Sequence, residues 1–133
     1  MTNSGSLDTN ALLRLLVGDI PNQAKQVVRL LDNGRTFIVS DTAILEIMFV
    51  LERHYKTSRK QIAQTIYHLT QHPKIQMDSL VFGDVLRFFG NSEALSPEDC
   101  YLVAKAKADK ALPLWTFDKK LIKKSEGLAK EIV

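Results

Sequence analysis

A chain of 133 residues is long enough to bury a hydrophobic core and is the length of one domain. With 45% hydrophobic and 25% charged residues it has the balance of an ordinary soluble globule, and no apolar run approaches the ~20 residues of a membrane span. The net charge of +3 is small but unevenly placed, because Lys105, Lys107, Lys110, Lys119, Lys120, Lys123, Lys124 and Lys130 all fall in the last quarter. Such a surface suits a polyanion, and it reads equally as a solvated lysine-rich face.

Residues 1–5 are expected to be poorly ordered, and Met1 to Ser6 lack the basic start and apolar middle of a signal peptide. A very short first strand is read at about Gly5 to Asp8. Ala11 to Val17 follows as a leucine-rich helix stopped by Gly18. A second helix begins after Pro21 and places Ala24, Val27, Val28 and Leu31 on one face. After the Asn33-Gly34 turn, Thr36 to Ser40 reads as a strand and Asp41 opens a strongly apolar helix. Helix is preferred there because the run exceeds the ~8 residues of a strand.

Ser58 with Gln61 predicts a capping box opening the next helix. Ile75-Gln76-Met77 reads as a short strand, and Asp78 to Phe89 as a helix stopped by Gly90-Asn91. Ser96-Pro97-Glu98-Asp99 starts a helix to about Ala108, with Ser96 as N-cap and acids where the helix dipole favours them. Leu112 to Thr116 reads as a buried strand, followed by a short basic helix and an edge strand at Lys130 to Val133. Alternating strands and helices predict an α/β domain over residues 1–133, with a central parallel sheet of about 4–5 strands between helical layers.

The single cysteine, Cys100, excludes an internal disulfide, and Cys and His show no zinc-ligand spacing. A reducing cytoplasm is the expected compartment. Cys100 reads as a small buried helix residue, with a nucleophilic thiol as the alternative. His54, His68 and His72 form no catalytic pairing pattern and are read as surface residues.

Four acids stand out. Asp8 and Asp118 lie at strand ends, where open α/β sheets bind ligands, but each also suits a helix N-cap. Glu46 sits among Leu45, Ile47, Met48 and Phe49. Burying it unpaired would cost several kcal/mol, so it needs a partner or a metal unless it finds a gap in the apolar stripe and faces solvent. Asp99 is third after Ser96 and is equally suited to completing a capping box. Gathered in one pocket, four carboxylates would need a cation, and hard oxygen donors suit Mg²⁺ or Mn²⁺. Ions held by acids recur in phosphoryl-transfer and nuclease sites.

Leu7-Asp8-Thr9-Asn10 ahead of a leucine-rich helix resembles the opening motif of PIN domains. Asp41 to Glu46 with Val50-Leu51 resembles their second motif, and Pro97-Glu98-Asp99 the third. Thr116-Phe117-Asp118-Lys119-Lys120-Leu121 resembles the fourth. The resemblance runs from about residue 6 to 133, and the length and the stretch Val50 to Arg59 look most like VapC toxins of toxin–antitoxin pairs.

That resemblance implies a three-layer α/β/α fold and a Mg²⁺- or Mn²⁺-dependent endoribonuclease. Asp8, Glu46, Asp99 and Asp118 would be the catalytic acids, with Asp8 and Asp99 or Asp118 as direct metal ligands and Glu46 acting on the ion from behind them or through water. Asn10 and Thr116 would orient the carboxylates, and Glu98 would be an accessory acid. It further implies an RNA substrate (transfer RNA among the possibilities), a cognate antitoxin partner and a homodimer, and no membrane association is expected because no apolar run is long enough to span one. Two features depart from the family pattern. The first strand lacks apolar residues, and Trp115 is read as buried, which leaves few aromatics to stack on bases.

A PIN-fold binding module without turnover is the second reading, and the presence of all four acids speaks against it. A haloacid-dehalogenase-type phosphatase needs a second Asp where Asn10 stands. A receiver domain needs adjacent acids near the first strand, and there are none.

Overall fold

Each helix that the periodicity predicts forms in the computed structural model, which describes residues 2–133. Asp8 caps α1 (Thr9–Val17), which ends at Gly18 with φ 70°, a left-handed stop suited to glycine. Pro21 occupies the first turn of α2 (Pro21–Asn33). Ser40 caps α3 (Asp41–Arg53), and Ser58 caps α4 (Arg59–Thr70). Asp78 caps α5 (Ser79–Asn91), which runs through Gly90 rather than stopping before it. At α4 only half of the predicted capping box forms, since Ser58 Oγ accepts from the Gln61 amide but no return bond from the Gln61 side chain is found among the described residues, whereas Asp99 completes a full box with Ser96 at α6 (Pro97–Ala108); Asp118 caps the short α7 (Lys119–Lys124).

The strands are shorter than expected and fall into two parallel pairs. β1 (Phe37–Ile38) runs beside β2 (Ile75–Gln76), and β3 (Leu114–Thr116) beside β4 (Ala129–Glu131). The layering is that of the three-layer α/β/α class, but no backbone hydrogen bonds join the two pairs among the described residues. The first strand reduces to a parallel bridge between Ser6 and Ile38. The physical reason lies in its composition. Asn3-Ser4-Gly5-Ser6 offers no apolar run, and Gly5 has φ 125°, a conformation that L side chains rarely adopt and that interrupts a regular ladder.

Residues expected to be poorly ordered are nevertheless tied down. The Ser4 amide donates to the Thr36 carbonyl at 2.7 Å, and Ser4 Oγ accepts from the Arg35 amide at 2.8 Å. Gly5 accepts from the Ile38 amide at 2.8 Å. Of that predicted segment, Met1 lies outside the described residues.

One core joins residues from Leu7 to Ala129, with Phe82, Phe88, Phe89, Ile44, Ile47 and Met48 fully enclosed. Arg59 locks the helices around it. Its guanidinium donates to the carbonyls of Phe89, Ser92 and Leu95 and to both carboxylate oxygens of Glu52. It also stacks 4.0 Å above the Phe89 ring. The connection from α5 to α6 is thereby fixed to α3 and α4, and with it the start of the helix that carries Glu98 and Asp99.

Arg59→Ala is expected to lower stability by about 3 kcal/mol, because it strips a charged donor from three carbonyls and leaves Glu52 unpaired. Arg59→Lys should recover little, since an ammonium cannot span the same fork of acceptors. Denaturant unfolding checks both. Cys100 is fully enclosed, and burial pushes its thiol up to about 12 against the opposing pull of Arg59. Thiol alkylation should therefore be negligible in the native chain and appear only with unfolding; prompt labelling under native conditions would contradict this packing.

Candidate active site

α3 presents two faces with different roles. Ala43, Ile44, Ile47, Met48 and Leu51 enter the core. Thr42, Glu46, Phe49 and Arg53 recur at helical spacing on the exposed face. Glu46 is thus not embedded among its apolar neighbours, as the sequence suggested. The helical period turns it to solvent while the flanking residues face inward.

This exposed stripe forms the wall of adjoining cavities. One, of about 370 Å³, is lined by Ser6, Leu7, Asp8, Thr9, Ser40, Thr42, Ala43 and Glu46. A second, of about 270 Å³, shares Thr42 and Glu46 with it and adds Leu45, Phe49 and Glu98. A third shares Phe49 and Glu98 and reaches Arg53 and Arg59. The three adjoin through their shared walls, so acids contributed by the first strand, by α3 and by α6 open onto neighbouring spaces.

Thr9 joins two of these elements. Its hydroxyl donates to Glu46 Oε2 at 3.2 Å, across 37 positions of sequence. Asp8 Oδ1 accepts from the Ala11 amide at 2.8 Å, which fixes the carboxylate at the N-terminus of α1. Asp118 Oδ1 accepts from the amides of Lys120 and Leu121, and Asp99 Oδ2 accepts from the Ser96 amide at 3.4 Å. In each of the four acids one oxygen is therefore held by the protein. The other, Oδ2 of Asp8, Oε1 of Glu46, Oδ1 of Asp99 and Oδ2 of Asp118, accepts no hydrogen bond among the described residues.

The spacing is less complete than the chemistry. Asp8 and Glu46 share a cavity, and Glu46 and Glu98 share the next. Asp99 and Asp118 line none of the three. No three acids stand close enough together among the described residues to form a ready metal cage. The carboxylate donors fit a hard divalent cation in kind, and Asp8 with Glu46 is the pair brought to one space.

The residues expected to orient the acids act differently. Among the described residues Asn10 makes no hydrogen bond to a carboxylate and instead lines a cavity between α1 and α2, beside Arg14 and Gln26. The orienting hydroxyl belongs to its neighbour Thr9, whose place beside Asp8 was the only sequence signal for it. Thr116 Oγ1 accepts from the Asp118 amide at 3.0 Å, so it sets the backbone at Asp118 rather than the carboxylate. Behind the wall, Asp41 accepts from the Tyr101 hydroxyl at 2.5 Å, and burial together with this bond pushes that hydroxyl up to about 12. The bond links α3 to α6.

Trp115 is also not where the sequence placed it. It is 59% exposed, and Phe117 beyond it is 72% exposed.

The model of the PIN domain family matches residues 6–127, nearly the whole chain and all four acidic positions. No individual curated protein matches the chain significantly. The chain belongs to the PIN domain family, and its fold is of the nuclease type.

Proposed function

We propose that this PIN domain is a Mg²⁺- or Mn²⁺-dependent endoribonuclease of the VapC kind, the toxin of a toxin–antitoxin pair acting in the cytoplasm as a homodimer. The reading rests on one observation above the others: the Thr9 to Glu46 hydrogen bond, which brings the first and second acidic motifs to one open cavity.

Asp8 and Glu46 hold the cation side of the site in this reading, each offering the oxygen that no protein group occupies. Asp99 and Asp118 complete the acidic set from the starts of α6 and α7, and Glu98 extends it along the trough. Thr9 keeps Glu46 turned toward Asp8, and Thr116 sets the turn from which Asp118 projects. When bound, the ion supplies acidity to water and charge to shield the phosphate. Water adds to phosphorus, the phosphorus–oxygen bond to the next nucleotide breaks, and the leaving oxygen takes up a proton. The substrate is RNA, with transfer RNA as one candidate, and a cognate antitoxin would act by covering the acidic trough.

The test is cleavage of a mixed RNA pool in Mg²⁺, in Mn²⁺ and in EDTA. Asp8→Asn and Asp118→Asn should each lower cleavage by at least about a hundredfold, the scale on which one charge-placing group in an active site acts, with the fold intact because removing a carboxylate relieves repulsion. Glu46→Gln keeps an acceptor for Thr9 and removes the charge. It should raise the metal concentration needed for activity while changing stability by less than about 0.5 kcal/mol, as exposed substitutions do. Undiminished, metal-independent cutting by Asp8→Asn would overturn the assignment.

A further inference from the structure

The β3–β4 pair is covered on one face only. Leu114 and Ala129 stand opposite one another, as do Trp115 and Lys130. Side chains alternate along a strand. Ala129 is buried and therefore marks the inner face, toward α6 and α7, which contact this pair. Trp115 and Lys130 share the outer face, and both are exposed. Phe117 and Ile132, each two positions further along the chain, are 72% and 41% exposed. An indole, a phenyl ring and an ammonium thus meet water, with no helix of the described residues over them.

We propose that this face is a stacking platform for the unpaired bases of a single-stranded RNA segment, with Trp115 as the principal stacking residue and Lys130 holding a phosphate beside it. The proposal rests on the reading of the chain as an RNA-cleaving domain and extends it to where the substrate lies. Aromatic side chains flanked by cations are the means by which proteins hold single strands without reading sequence. The charge fits: Lys130 is exposed on this face and has no ion-pair partner among the described residues. The position fits as well. The strand that carries Trp115 runs directly into Asp118, and the three intervening steps span at most about 11 Å. A base on Trp115 and a phosphate near Asp118 would belong to the same short stretch of RNA.

Trp115 is the chain's single tryptophan, so its fluorescence reports this face alone. The Asp8→Asn chain in EDTA would be titrated with a short oligouridine RNA, following tryptophan emission and, separately, the anisotropy of labelled RNA. Saturable quenching is expected. Trp115→Ala should weaken binding at least about fivefold while Trp115→Phe restores most of it, since a phenyl ring keeps a stacking surface. Lys130→Gln should lower the slope of log affinity against log salt by about 0.7, the share of one phosphate contact on a single strand. RNA that binds without changing the emission, equal binding by Trp115→Ala, or no binding at all would each overturn the platform. So would emission that shifts with protein concentration alone, which would mean that a second copy covers the face. Cleavage by the unaltered chain is scored independently. Cutting without a tryptophan response removes the platform and leaves the nuclease, and a tryptophan response without cutting does the reverse.

Discussion

The site depends on a few backbone hydrogen bonds at the start of the chain. The first strand has almost no apolar side chains to hold it, so its position comes from three contacts to the neighbouring strand: Ser4 to Thr36, Ile38 to Gly5 and Leu7 to Ile38, at 2.7, 2.8 and 3.0 Å. Leu7, 5% exposed, anchors the end of this segment in the core. Asp8 follows at once and is fixed by its cap on α1. The strand is therefore a poor structural element and an adequate positioning device. It delivers one carboxylate to the exposed stripe of α3, where Glu46 is waiting, and Thr9 closes the contact.

A similar economy runs through the other acids. Asp8 and Asp118 are helix N-caps, Asp99 completes the capping box behind the N-cap Ser96, and Glu46 is held by a hydroxyl. The structural and functional readings of these residues are compatible, because a carboxylate has two oxygens. An amide donor on one oxygen fixes the orientation of the group and leaves the second free for a cation. Capping explains why the acids stand at helix starts, and it does not compete with ion binding.

Much of this was legible in the sequence because the signals were local. Pro97 after Ser96, Gly18 after a leucine run and Pro21 ahead of an amphipathic stretch each name a helix boundary by a mechanism that acts within a turn. What could not be read depended on rotation and coverage. Glu46 looked embedded because all its chain neighbours are apolar, yet a helix turns about 100° per residue, and Thr42, Phe49 and Arg53 are its true companions. Trp115 looked buried because it lies in an apolar run, but a three-residue strand at an uncovered face does not bury alternate residues. Thr9 carries no local signal of its role beside Asp8 because its partner lies 37 positions away.

In the proposed site Asp8 and Glu46, from distant parts of the chain, act on one divalent cation. The most direct measurement is Mn²⁺ affinity across a double-mutant cycle of Asp8→Asn and Glu46→Gln. If both acids serve the same ion, each single variant weakens binding and the double variant is little worse than the weaker single, a coupling of the size seen for groups sharing one partner. Losses that simply add, or Mn²⁺ affinity unaffected by either change, would place the two acids at separate sites.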